Sequence, residues 1–212
     1  MERLPRGRHG LSPEFVAQNQ RERLIAGLTE VLHEVGYQKT TVSLIGQRAA
    51  VSKSDFYKHF ESKDACFLAA YDDVVEELRA VVVDACAGTD EWAVGVCDAL
   101  AALLALMASE PAQARLALVE GLRAGRGVYD RYQEAVQSFV PYLRDGAPAP
   151  PEGRPPEATD EAVVGGIASL LARRSMAGET ERLEEFLPEV AEFALTPYLG
   201  AAEARRIISR DE

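Results

Sequence analysis

The segment from Thr40 to Asp64, TTVSLIGQRAAVSKSDFYKHFESKD, constrains this chain more than any other. It holds two apolar-periodic stretches with a tight break between them. Thr40 and Thr41 precede Val42, Leu44, Ile45 and Ala49, and either hydroxyl can accept a free backbone N–H at a helix start. The spacing sends Leu44, Ile45 and Ala49 toward a small core. Ser52 opens the second stretch. Ser52 and Asp55 stand at capping-box spacing, so Asp55 can reach back to the Ser52 backbone N–H. Phe56 and Phe60 are four apart and share a buried face. That leaves Lys53, Ser54, Tyr57, Lys58 and His59 on the outer face. Lysines and a protonatable imidazole reach phosphate oxygens, and a tyrosine hydroxyl can donate to them. Lys53 and Ser54 lie at the N-terminal end, where a recognition helix meets base edges. The pattern is that of a helix-turn-helix, whose second helix enters the major groove of DNA.

Charge asymmetry supports this. The chain has 212 residues and a net charge of −11, which is wrong for a DNA binder taken whole. Residues 1–60 carry a net +3, however, and residues 61–212 a net −14. Local charge sets the contact, while the overall acidity weakens non-specific attachment. Modest affinity for random DNA and steep salt dependence are therefore expected. The first dozen residues, MERLPRGRHGLS, include Arg3, Arg6, Arg8 and His9 and read either as a plain tail or as a basic arm laid along DNA.

The wider segment, RERLIAGLTEVLHEVGYQKTTVSLIGQRAAVSKSDFYKHFESKDACFLAAYD, resembles the DNA-binding domain of the tetracycline-repressor (TetR) family of bacterial transcription regulators. The resemblance rests on Gly36-Tyr37, Thr40-Thr41-Val42, the Ile45-to-Ser52 core, the Phe56-to-Phe60 block and Lys63-Asp64. Two positions depart from the pattern. Gly46 replaces an alanine and lowers helix propensity by roughly 1 kcal/mol. Ala50 replaces a glycine and costs on the order of 1 kcal/mol if its backbone is left-handed.

The resemblance implies an all-α chain, with an N-terminal three-helix, homeodomain-like domain followed by an all-helical ligand-binding and dimerisation domain. The expected boundaries are 1–17 for the arm and the start of the first helix, 18–78 for the DNA-binding domain with its helix-turn-helix at 41–60, and 79–212 for the body. Ser12 caps a helix with Pro13 in its first turn, running to about Val35. Further helices are expected from Ser62 to Ala87, from Trp92 to Ala108 with Asp90 as cap, from Pro111 to Arg123 and from Val128 to Arg144. Two more run from Thr159 to Ala177 and from Glu181 to Leu199. The Pro/Gly-rich run 145–157 reads as a loop.

Thr41 and Lys63 join the expected DNA contacts through phosphates. The resemblance also implies that the last two long helices pair with a second copy. Val163, Ile167, Leu170 and Leu171 on one and Phe186, Leu187, Val190 and Phe193 on the other suit a four-helix interface, unless they pack only within one chain. A small-molecule effector, inducer or corepressor, is implied in the body. Trp92, Met107, Arg115, Tyr129, Tyr132, Phe139 and Met176 are its candidate contacts. Partners are then a double-stranded DNA operator, a second copy and the effector.

No other cofactor is expected. Cys66, Cys86 and Cys97 lack metal-ligand spacing and read as reduced core thiols or as a redox sensor. His9, His33 and His59 are too scattered for a metal site. No nucleophile–base pair or carboxylate cluster points to an enzyme. No uncharged apolar run of membrane-spanning length and no signal-peptide pattern is present, so a cytoplasmic location is expected. The competing reading is a dimeric sensor or interaction protein of the same fold that has lost sequence-specific DNA binding.

Overall fold

A computed structural model describes residues 12–123, 126–148, 153, 155–156 and 158–209. The arginines of the basic arm and residues 149–152, 154 and 157 of the 145–157 loop lie outside them. Every regular element among the described residues is helical. The chain divides into two compact units, one up to Asp73 and one from Val74 onward.

In the first unit, α1 (Pro13–Val35) starts on Ser12, whose Oγ accepts the Phe15 N–H at 3.2 Å. It ends at Gly36, whose φ of 75° stops the helix. Leu24, Leu28 and Leu32 are four apart and fully buried, the stripe by which a long amphipathic helix joins a core. A 3-10 turn (Tyr37–Lys39) leads to α2 (Val42–Ala49) and α3 (Lys53–His59). Ile45 and Phe56 seal the centre with Phe67 and Tyr71 of α4 (Lys63–Ala87). Tyr37 meets Phe67 edge-on at 5.3 Å.

The second unit takes the rest of α4, then α5 (Trp92–Ser109), α6 (Pro111–Arg115), a wide-turned π segment (Leu116–Glu120) and α7 (Gly121–Arg123). After these come α8 (Arg126–Gln137), α9 (Val140–Arg144), α10 (Ala158–Met176), a 3-10 segment (Thr180–Phe186), α11 (Leu187–Leu199) and α12 (Ala201–Ile208). Val96, Leu143, Val163, Ala194, Leu195 and Tyr198 build one core cluster from α5, α9, α10 and α11. By length and composition alone α5 could cross a membrane, but here it packs against α11 and the 3-10 segment.

Several expectations need correction. The helix expected over Val128–Arg144 breaks at Ser138-Phe139, because Pro141 has no N–H to donate and crowds the carbonyl four residues back. Glu181–Phe186 is 3-10, and the α-helix begins at Leu187 with Pro188 in its first turn. Asp90 does not cap α5. Glu91 holds the cap position without a side-chain bond, and Thr89 Oγ1 accepts the Glu91 N–H at 3.1 Å. Leu44 is 39% exposed rather than core. At 100° per residue Ile45 and Ala49 share the buried face of α2, and Leu44 is turned away from it.

Candidate nucleic-acid interface

The turn between α2 and α3 sets the aim of α3, and its two unusual residues act together. Ala50 sits at φ 51°, ψ 43°, left-handed and the single non-glycine residue at positive φ among those described. That bend lets the Val51 N–H donate to the Gly46 carbonyl at 2.9 Å. It also brings the Val51 carbonyl within 2.7 Å of where a Cβ on residue 46 would stand. Gly46 is thus demanded by the close approach, whereas Ala50 bears the backbone cost. Replacing Ala50 by glycine is expected to stabilise the first unit by about 0.5–1 kcal/mol, as relief of the left-handed strain outweighs the added chain entropy. Chemical denaturation followed by far-UV circular dichroism checks this. An unchanged or lowered midpoint would contradict it.

Thr41, not Thr40, caps α2, its Oγ1 accepting the Leu44 N–H at 3.2 Å. Thr40 is buried and donates to the Gly36 carbonyl at 2.9 Å. Arg23 of α1 closes the other end of α2, donating to the carbonyls of Ala49 and Ala50. Arg48 ties α2 to α1 through Glu30 at 2.8 Å and Glu34 at 2.6 Å. Sequence reasoning missed Arg23, because its partners lie 26 and 27 residues away.

On α3, Phe56 is fully buried and meets Phe60 at 5.8 Å. The Ser52 cap forms, with the Asp55 N–H donating to Ser52 Oγ at 3.0 Å. Its reciprocal half differs from expectation. The Asp55 carboxylate accepts from the Ser52 hydroxyl at 2.7 Å and from Lys58 Nζ at 2.7 Å. Lys58 and then the Ser52 hydroxyl hold the Asp55 carboxyl below its ordinary range. Lys53, Ser54 and Lys58 are exposed, as is Tyr57 at 51%. His59 is half-buried with Nε2 3.1 Å from Gln20 Oε1. Burial is the main cause that holds its pKa below the usual imidazole value. Lys63 lies 3.9 Å over the Tyr37 ring and donates to the Tyr37 carbonyl at 3.0 Å. The Tyr37 hydroxyl donates to Asp64. Of the seven residues expected to meet DNA, Thr41 caps α2, Lys53, Ser54, Tyr57 and Lys58 stand on the outward side of α3, His59 turns partly inward to Gln20 of α1, and Lys63 begins α4 folded onto Tyr37.

In the second unit, a cleft of about 510 Å³ is lined by residues including Cys86, Asp90, Glu91, Trp92, Tyr142 and Asp145. Of the seven residues expected to contact an effector, Trp92 lines it. Met107 and Tyr132 are buried, Phe139 is half-buried, and Tyr129 and Met176 are exposed. Arg115 pairs with the fully buried Glu120 at 3.0 Å. Burial pushes the Cys66 thiol up to about 12 and raises that of Cys86, so neither holds the thiolate that redox sensing uses.

Among the residues expected at a dimer interface, Val163, Leu171 and Val190 are buried within their own chain. Ile167, Leu170, Phe186 and Leu187 are half-buried, and Phe193 is 49% exposed. Phe193 lies against Gly166, where an added Cβ would meet its ring at 3.0 Å.

Residues 24–70 match the family profile described as bacterial regulatory proteins, tetR family. Similar solved structures include the fatty acid degradation regulator FadR from Bacillus halodurans, at 13% identity and a TM-score of 0.71, covering 82% of this chain and 97% of that one. FadR from Bacillus subtilis in complex with stearoyl-CoA matches at 14% identity and TM-score 0.70, over 83% of this chain and 98% of that one. A TetR family transcription regulator from Marinobacter aquaeolei VT8 matches at 15% identity and TM-score 0.66, over 87% and 97%. At these identities the likeness establishes the fold. A comparison with curated proteins finds no match.

Proposed function

We propose that this chain, whose residues 24–70 form a domain of the tetR family of bacterial regulatory proteins, is a homodimeric, ligand-responsive transcriptional repressor that reads a palindromic operator. The observation that carries the reading is the outward side of α3. Its exposed Lys53, Ser54, Tyr57 and Lys58 stand on a helix whose opposite side is anchored by Phe56. A two-fold dimer presents two such helices to half-sites about one helical turn or more apart. Binding of an effector to the helical body releases DNA if it favours a state in which the heads no longer match that spacing.

Support for dimerisation comes from α10 and α11. Phe193, Ile167 and Leu170 keep apolar surface in contact with water, although the rest of the stripe is covered. Phe193→Asp is expected to turn the dimer into a monomer, because a dimer would bury that carboxylate unpaired. Sedimentation velocity reads the change. A variant that sediments like wild type would remove this surface from the interface.

His59 makes the reading sensitive to pH. Its pKa is depressed in the free protein, so the ring is neutral near pH 7, and its own contribution to the fold weakens as pH falls through about 6.5. A phosphate beside it favours the imidazolium, so DNA binding takes up a proton. Operator affinity is then expected to rise by roughly threefold between about pH 7.5 and about pH 5.5, and the rise should shrink in His59→Gln. Fluorescence anisotropy of labelled operator measures both. Identical pH profiles would place His59 away from phosphate.

A further inference from the structure

The cleft of the second unit has a definite chemical character. Its charged lining residues are all acidic: Asp90, Glu91 and Asp145. None of the three has an ion-pair partner among the described residues. Among the described residues, the two arginines that bond or adjoin its lining are already engaged. Arg79 donates to Ser138 at 3.0 Å on the cleft wall but is paired with Glu76 at 2.8 Å. Arg144, next to Asp145 in sequence, is held by Asp160 at 2.8 Å. The start of α5 brings in a partial positive charge of about half a unit, which three carboxylates outweigh. The surrounding unit reinforces the sign, since from Val74 onward the sequence contains no lysine and carries a net charge of −11.

The cleft also has aromatic walls. Trp92 and Tyr142 line it, with Val96 and Pro141 adding carbon surface. Trp92 is fixed in place. Its Nε1 donates to the Leu143 carbonyl at 3.0 Å, and its ring meets Tyr198 edge-on at 5.1 Å. Gly146, at φ 84°, lies beside the indole, where an added Cβ would be in ordinary contact with Trp92 Cδ1 at 3.4 Å. A volume of about 510 Å³ suits a small organic molecule. Pre-set aromatic surface beside unpaired carboxylates is the combination that recognises an organic cation, through its attraction to the ring face and to the acids.

We propose that this cleft binds a planar aromatic cation, with Trp92 and Tyr142 as stacking surfaces and Asp90, Glu91 and Asp145 as counter-charges. The inference rests on the reading of the helical body as an effector domain and gives that effector a chemical class. The site also has a route to the rest of the body. Trp92 touches Tyr198 of α11, whose hydroxyl donates to Asp160 of α10, which in turn holds Arg144 of α9. A ligand stacked on Trp92 therefore presses on the two helices proposed to form the dimer.

Trp92 is the only tryptophan in the chain, so its fluorescence reports this cleft. The test titrates the full-length protein with three probes of similar size: N-methylquinolinium (cation), quinoline (neutral at the assay pH) and 2-naphthoate (anion). The expected result is saturable quenching by the cation, weaker binding of quinoline and none of naphthoate. Asp90→Asn with Asp145→Asn, both exposed and safe for folding, is expected to weaken the cation roughly fivefold. Saturable binding of naphthoate, equal affinity for cation and neutral probe, or linear collisional quenching by all three would overturn the proposal. Operator selection on the same preparation separates the two readings. Selection of DNA without cation binding would remove this inference alone, and cation binding without any selected DNA would remove the regulator reading alone.

Discussion

Alanine at Tyr57 is expected to lower operator affinity about 10- to 100-fold while leaving the protein folded. Alanine at Phe56, the preceding residue, is expected to unfold the reading head. The contrast follows from one turn of α3. Tyr57 is 51% exposed, whereas Phe56 is fully buried beside Phe60. Losing a hydroxyl bond to a charged phosphate costs about 1.5–3 kcal/mol of binding. Truncating a buried phenylalanine costs about 3–5 kcal/mol of stability, comparable to the whole stability of a small helical unit. Lys58→Ala differs from both. It removes one phosphate-reaching cation, so affinity falls evenly across sequences and the salt slope shrinks by about 1. Anisotropy titrations over a salt series, with circular dichroism as the folding control, distinguish the three. A Tyr57→Ala protein that binds like wild type would mean that α3 does not face DNA.

The second large effect lies in the helical body. Arg115 pairs with Glu120 at 3.0 Å across the start and end of the π segment, and Glu120 is completely buried. Arg115→Met takes a guanidinium from that buried carboxylate and is expected to destabilise the body, by up to about 3 kcal/mol. Adding Glu120→Met should recover most of the loss, because a well-packed apolar pair does as well as a buried ion pair. The sole tryptophan, Trp92, lies in this unit and reports its unfolding in urea. If the double variant is no more stable than the single one, the pair is held by its wider surroundings and the coupling argument fails.

The local chemistry of the reading head was legible in the sequence. Ser12, Thr41 and Ser52 cap helices where short-range rules place them, since a cap needs partners only three residues away. The strain at Ala50 could be anticipated from the turn, but the need for Gly46 could not. It arises from the Val51 carbonyl, which closes in only once that turn is made. Leu44 misled because an apolar residue next to Ile45 reads as core unless helical phase is followed strictly. In the body, Pro141 is a local signal visible in the sequence, and it breaks the helix as proline chemistry dictates.

The cleft was not legible. Cys86, Trp92 and Tyr142 come from three stretches of chain that meet only in the folded unit. Trp92 could be singled out by size, but nothing local joins it to Asp90, Asp145 or Tyr198. The Arg144–Asp160–Tyr198 contacts span 16 and 38 residues, beyond the reach of any spacing rule.

The proposed function stands or falls on sequence-specific DNA binding by a dimer. Its most direct test is selection of bound duplexes from a random pool with the full-length protein, at low and at high salt. Recovery of a palindromic site whose affinity falls steeply with salt is expected. Recovery of nothing above background at either salt would contradict it and leave a dimeric sensor that has kept the fold without reading DNA.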